Sequence, residues 1–146
     1  MKELKFKKLH PDAVVPTRAY SNDAGLDLTA VSVEFNNEYQ FWEYDTGLAV
    51  EIGPGFVGLA MARSSISKTG LSLCNGAGVI DSQYRGSIKA RFYKEVLSGI
   101  RSKEYPAGER VIQLLIVPIA LPIPVEVEEL SSSDRGSGGF GSTGSK

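Results

Sequence analysis

The chain has 146 residues, with 16 Lys and Arg against 17 Asp and Glu and a formal charge of −1. That length suits one domain with a real core, while being small enough for a deep ligand cleft to draw on neighbouring subunits; the near-neutral balance argues against a nucleic-acid polymer as partner. One cysteine and one histidine exclude an intrachain disulfide framework and leave a Cys/His zinc site short of ligands.

The stretch from Met1 to Lys8 alternates charge with isolated apolar residues and lacks the apolar centre of a signal peptide, and no later run is long enough to span a bilayer. The expectation is a soluble, cytoplasmic protein in a reducing compartment, cellular or phage-encoded, without a membrane partner. Short apolar runs between Gly, Pro, Asn and Ser predict an all-β domain with strands at 3–8, 26–29, 31–35, 44–48, 56–61, 71–73, 78–80, 87–92, 110–117 and 124–128. So many short strands point to a jelly-roll or related barrel. One helical turn is expected at 65–70, closed by a glycine. Composition changes at Ser131, which divides a β domain at 1–130 from a glycine-rich tail at 131–146.

Several segments carry chemistry. Asp27 sits between Leu26 and Leu28, so strand alternation sends it to the face opposite both. If that face is solvent, Asp27 is an ordinary surface carboxylate; if it lines a cleft, Asp27 suits the water shell of Mg²⁺. Arg63, Ser64 and Ser65 follow a strand and read either as a phosphate cradle or as a helix start beside a solvated arginine. The stretch from Asn75 to Gly86 has the form of a hairpin. Opened near Asn75, it would offer backbone groups and an amide to a pyrimidine edge, with Tyr84 against a sugar and Asp81 in reach of an attacking water. The same letters describe an Asx turn with a surface tyrosine. Gln113 interrupts an apolar strand and needs partners, either backbone groups or a water and a phosphate oxygen.

In the tail, five glycines between Gly136 and Gly144 surround Phe140 and the hydroxyls of Ser142 and Thr143, with Arg135 just before them. Such a segment is mobile until contacts order it. It reads as a lid over a nucleotide, Arg135 and the hydroxyls on phosphate and Phe140 on the base, or as a plain flexible tail. Cys74 has no histidine nearby to activate it and is expected as a small buried hydrophobe.

Five segments in order, AGLDL, RSSISKTGL, NGAGVIDSQYRG, GERVIQL and RGSGGFGSTG, resemble the five ordered motifs of the homotrimeric dUTPase family, from Ala24 to Gly144. The resemblance implies a distorted jelly roll (the dUTPase-like β-clip) assembled as a homotrimer. It implies hydrolysis of dUTP to dUMP and pyrophosphate with Mg²⁺, in active sites shared by three subunits, which limits uracil incorporation into DNA and supplies dUMP for dTMP synthesis. By that resemblance Asp27 lies near the metal's water shell, Arg63, Ser64 and Ser65 bind phosphates, and Gln113 contacts phosphate and the catalytic water. A second subunit reads uracil through Asn75 and the backbone of Gly78, Val79 and Ile80, while its Asp81 activates the water and its Tyr84 excludes a ribose. The third brings its tail, with Arg135, Gly141, Ser142 and Thr143 at the phosphates and Phe140 over uracil.

Two positions depart from the family pattern. Ala62-Arg63-Ser64-Ser65 stands where Pro-Arg-Ser-Gly is usual and is similar to the related dCTP deaminases, the runner-up reading; yet the position of the deaminase general base is Arg91 here, and a cation cannot serve as that base. Ser87 stands where an acidic or amide residue is common, so a contact there is lost or rewired. A nucleotide-dependent regulatory binding protein is a third reading, resting on the mixed-charge loop at 94–106 with Glu95, Arg101, Lys103 and Glu104, which also reads as an ordinary connection. Strand 111–117 and the prolines at Pro118, Pro122 and Pro124 suit subunit contact and an edge segment that crosses to a neighbour.

Overall fold

Runs of β-branched and aromatic residues become ten strands in the computed structural model, which describes residues 3–95 and 103–139. They are β1 (Lys5–Lys8), β2 (Leu26–Thr29), β3 (Ser32–Asn36), β4 (Phe41–Asp45), β5 (Leu48–Glu51), β6 (Phe56–Ala62), β7 (Leu71–Leu73), β8 (Ala77–Ile80), β9 (Lys89–Lys94) and β10 (Arg110–Pro118). The fold is a distorted jelly roll. One four-stranded sheet has the order β2-β10-β6-β8, another β3-β4-β9-β7, and β1 pairs with β5 alone.

Leu28, Tyr44, Ile88, Phe92, Ile112 and Leu114 are fully buried, and they join both four-stranded sheets in one core. Each such side chain contributes about 1.5–3 kcal/mol by leaving water. Tyr44 meets Phe92 edge-on at 5.6 Å between ring centroids, and burial pushes its hydroxyl up to a pKa of about 12. Among the described residues no helix is long and apolar enough to cross a membrane.

The expected helical turn is a short 3₁₀ helix at Ser64–Lys68, followed by Gly70 at φ +63°. Three expectations are corrected. The strand expected at 44–48 is two strands, because Gly47 at φ +62° turns the chain after Asp45, whose Oδ1 accepts from Gly47 N at 2.7 Å. The hairpin expected from Asn75 to Gly86 is a crossover between sheets. Its turn exists, with Tyr84 N donating to the Asp81 carbonyl at 3.0 Å, but β8 pairs with β6 whereas β9 pairs with β4 and β7. No strand forms at 124–128 either. Ile119, Leu121, Ile123, Val125 and Val127 alternate as a strand would, yet all are exposed and the segment has no strand partner among the described residues.

Candidate active site

Two groups of polar residues line two separate clefts. The first begins with β2, whose alternation buries Leu26 and Leu28 and turns Asp27 outward. Asp27 Oδ1 accepts from Arg63 Nε at 3.0 Å, and Oδ2 accepts from Arg110 Nη1 at 3.0 Å. Arg63 Nη1 also donates to the Arg110 carbonyl at 3.1 Å. The Arg63 and Asp27 side chains are only 23 % and 27 % exposed, so the pair is partly shielded from water.

Gln113 stands opposite Asp27 in the β2–β10 register, and its Nε2 donates to the Ala62 carbonyl at 3.0 Å. That bond turns Oε1 toward Gly25, where a Cβ would come within 2.7 Å. The glycine of AGLDL therefore leaves room for the glutamine amide, which keeps an acceptor and one N–H for a ligand. Gly25, Asp27, Arg110 and Gln113 line a cleft of about 450 Å³ together with the 14–17 segment.

Arg110 was not anticipated as a site residue, although it lies inside GERVIQL. Strict alternation would place it and Gln113 on opposite faces. A register shift between Arg110 and Ile112 lets Val111 and Ile112 both be buried and returns Gln113 to the face of Arg110. Of the expected phosphate-binding serines, Ser64 is exposed, while Ser65 is half-buried with its Oγ 3.4 Å from the hydroxyl of Tyr105. Tyr105 is a second unanticipated neighbour.

The second group is built on β8. This strand is the outermost of its sheet, so beyond β6 its other edge has no strand partner among the described residues. Backbone groups of Gly78, Val79 and Ile80 border a cleft of about 540 Å³ shared with Asn75, Asp81 and Tyr84. The Asn75 amide folds over Gly78, with Nδ2 3.4 Å from where a Cβ would stand. A free strand edge beside a side-chain amide can match the alternating donors and acceptors of a nucleobase.

Cys74 lines the same cleft half-buried, and burial raises its thiol pKa. Arg91 also borders the cleft. Its Nε donates to Glu43 at 2.8 Å, and its guanidinium lies 4.7 Å from the centroid of the Phe41 ring. A paired guanidinium, which cannot serve as a general base, thus borders the cleft.

The two clefts share no lining residue. Asp27, Arg63 and Gln113 come together, as do Asn75, Gly78, Val79, Ile80, Asp81 and Tyr84, but one chain does not bring the two groups into a single pocket. Arg135 joins neither; it is exposed and its Nε donates to the Gly138 carbonyl at 2.9 Å. Phe140, Gly141, Ser142 and Thr143 lie outside the described residues.

The family model described as dUTPase matches residues 12–144. The chain is 38 % identical over 148 residues to a deoxyuridine 5'-triphosphate nucleotidohydrolase of Hydrogenobaculum, covering 99 % of both chains. It is 38 % identical over 151 residues to the enzyme of that name from Escherichia phage T5, covering 98 % of this chain and 99 % of the other. Among solved structures, a variant dUTPase of Staphylococcus bacteriophage 80alpha with dUpNHpp superposes with a TM-score of 0.83 at 31 % identity, over 99 % of each chain. A variant dUTPase from phage phi11 of S. aureus, described for its coordination of a structural Mg(II) ion, superposes with a TM-score of 0.73 at 27 % identity, over 89 % of this chain and 99 % of that one. By that match and those identities, the chain belongs to the dUTPase family.

Proposed function

We propose that this protein is a dUTP diphosphatase, hydrolysing dUTP to dUMP and pyrophosphate in sites completed by neighbouring subunits of a homotrimer. The observation that carries this reading is the division of the polar residues into two clefts, one with Arg110, Gln113 and the Asp27 that Arg63 also holds, the other with a free strand edge and Asp81. Each cleft is half of what a nucleoside triphosphate needs, and apposition of two copies supplies both halves. The exposed alternating segment from Ile119 to Val127 suits an arm that packs on a neighbour, and the tail at 131–146 then closes the site, with Arg135, Ser142 and Thr143 on phosphate and Phe140 over the base.

In this reading uracil lies along the free edge of β8 and against Asn75. Tyr84 packs on the deoxyribose, where a 2′-hydroxyl would collide. Asp81 accepts a proton from a water as its oxygen bonds to the α-phosphorus. The bond from that phosphorus to the bridging oxygen breaks, and pyrophosphate departs. Gln113 Oε1 accepts from the same water and its free N–H meets a phosphate oxygen, while Arg63 and Ser64 hold the chain of phosphates.

The donor set fits Mg²⁺. Among the described residues no three His, Cys, Asp or Glu side chains converge on one point, as a protein-caged metal would require. Asp27 faces the phosphate side, and both its oxygens keep lone pairs beyond the two arginine bonds. Asp27 would orient waters of an ion held mainly by the substrate's phosphates. The ion, when bound, supplies neutralisation of the triphosphate and of the departing pyrophosphate.

The test is incubation with dUTP, dCTP, dTTP and UTP, with and without Mg²⁺, following nucleotide products, pyrophosphate and ammonia, beside Asp81→Asn. Mg²⁺-dependent conversion of dUTP alone, reduced at least about 100-fold in Asp81→Asn, supports the assignment. Ammonia from dCTP would make the protein a deaminase. Tight dUTP binding without turnover would make it a regulatory binding protein.

A further inference from the structure

The position of Ser87, unusual for the family pattern, is wired into the second cleft. Its Oγ donates to Asp45 Oδ1 at the end of β4, and its carbonyl accepts from the Tyr84 hydroxyl at 3.0 Å. The hydroxyl end of the Tyr84 ring crowds Gly86, where a Cβ would overlap the hydroxyl and come within 2.6 Å of Cζ. Beyond Ser87 the chain is stapled to the same turn: Thr46 donates to the Ile88 carbonyl through N at 3.1 Å and Oγ1 at 2.8 Å, and Ile88 N donates to the Leu48 carbonyl at 2.9 Å. Asp45 is held in turn by Gly47 N at 2.7 Å and Lys89 Nζ at 3.5 Å.

Tyr84 therefore rests on a backbone carbonyl whose own residue is tied, through one side-chain hydroxyl, to the end of β4, the strand that pairs with β9. We infer that Ser87 and Asp45 are positioning residues that hold Tyr84 against the sugar and set the preference for deoxyribose over ribose. The inference rests on the reading of Tyr84 as the group that excludes a 2′-hydroxyl. An acidic side chain at 87 would repel the Asp45 carboxylate, whereas the Ser87 hydroxyl donates to it: the carboxylate comes from β4 and the donor from the crossover. Burial opposes ionisation of Asp45, but the bonds from Ser87 and Gly47 outweigh it and keep its pKa below the ordinary value, so it is a carboxylate at neutral pH.

The experiment compares kcat/KM for dUTP and for UTP in wild type, Ser87→Ala, Ser87→Thr and Asp45→Asn, with the melting temperature of each. Losing a charge-assisted hydrogen bond lets Tyr84 drift, and the dUTP-to-UTP ratio is expected to fall about tenfold in Ser87→Ala. Ser87→Thr keeps the hydroxyl and the ratio. Asp45→Asn keeps a weaker acceptor and falls less, and supplies the same reading if Ser87→Ala does not fold. In a Tyr84→Ala background, Ser87→Ala changes the ratio no further. An unchanged ratio in Ser87→Ala, an equal loss in Ser87→Thr, or an equal fall of both kcat/KM values with a lower melting temperature would overturn the inference. A wild-type protein that does not hydrolyse dUTP overturns the proposed function itself, and that outcome is seen in the unmodified chain before any variant is compared.

Discussion

Gly25→Ala separates catalysis from stability. The added Cβ would stand 2.7 Å from Gln113 Oε1 and 3.4 Å from Gln113 Cβ. Gly25 has no positive φ, so the backbone accepts alanine without strain. The amide oxygen must instead retreat by roughly 0.7 Å to reach ordinary contact, which rotates the amide away from its bond to the Ala62 carbonyl. Loss of that one bond costs about 0.5–1.5 kcal/mol, a small shift in melting temperature. If Gln113 orients the attacking water as proposed, misplacing it by most of an ångström costs on the order of 100-fold in rate. The assay is pyrophosphate release from dUTP with Mg²⁺, beside calorimetry. The double variant Gly25→Ala, Gln113→Ala should be no slower than Gln113→Ala, since the glycine acts through the glutamine. Wild-type turnover by Gly25→Ala, or a double variant about tenfold worse than Gln113→Ala, would refute this reasoning.

Asp27→Asn keeps the shape beside Arg63 and Arg110 but removes the charge, so the Mg²⁺ concentration needed for half-maximal turnover should rise about tenfold, and no change would remove Asp27 from the metal's water shell. Ile123 is 86 % exposed in the single chain, where Ile123→Glu would change stability by less than about 0.5 kcal/mol. If the arm packs on a neighbour, that variant lowers the mass seen by light scattering and lowers turnover with it; an unchanged mass argues against the crossing arm. The Lys89 hydrogen bond, then that of Arg91, holds Glu43 below its ordinary 4.5 against the opposing pull of burial, and the Glu43 bond raises Lys89 above 10.5. The Glu43 contribution is present above pH 4.5 and lost as pH falls through its lowered folded value; that of Lys89 is present below 10.5 and lost as pH rises through its raised one. Tyr44 is likewise lost from pH 10 towards about 12. A plot of melting temperature against pH should therefore have an acid limb that is shallower in Glu43→Gln, and an identical acid limb in that variant would exclude the Glu43 pairs as its cause.

Local chemistry was legible from the residues. The outward turn of Asp27, the turn of helix after Arg63, the Asp81–Tyr84 turn and the polar interruption at Gln113 all depend on neighbours one to four positions away, and period-two alternation or turn propensity specifies them. The order and spacing of the five motifs carried the family. What depends on strands distant in sequence was not legible. That β8 and β9 enter different sheets is set by β6 and β4, which lie far away in the chain. The role of Arg110 hinges on a one-residue irregularity in β10, since a single added residue reverses which face every later side chain occupies. The pairing of Ser87 with Asp45, 42 positions apart, likewise exists because β4 pairs with β9, which sets Asp45 opposite Lys89, two residues beyond Ser87. The alternating arm from Ile119 to Val127 is the converse case: its pattern is that of a strand, but beyond the bond from Ile119 N to the Gly55 carbonyl at 2.9 Å no strand among the described residues pairs with it. Sequence determined which residues are equipped for the chemistry; tertiary structure decided which of them meet, because contacts between distant strands are settled by burial of the whole core and not by any local run.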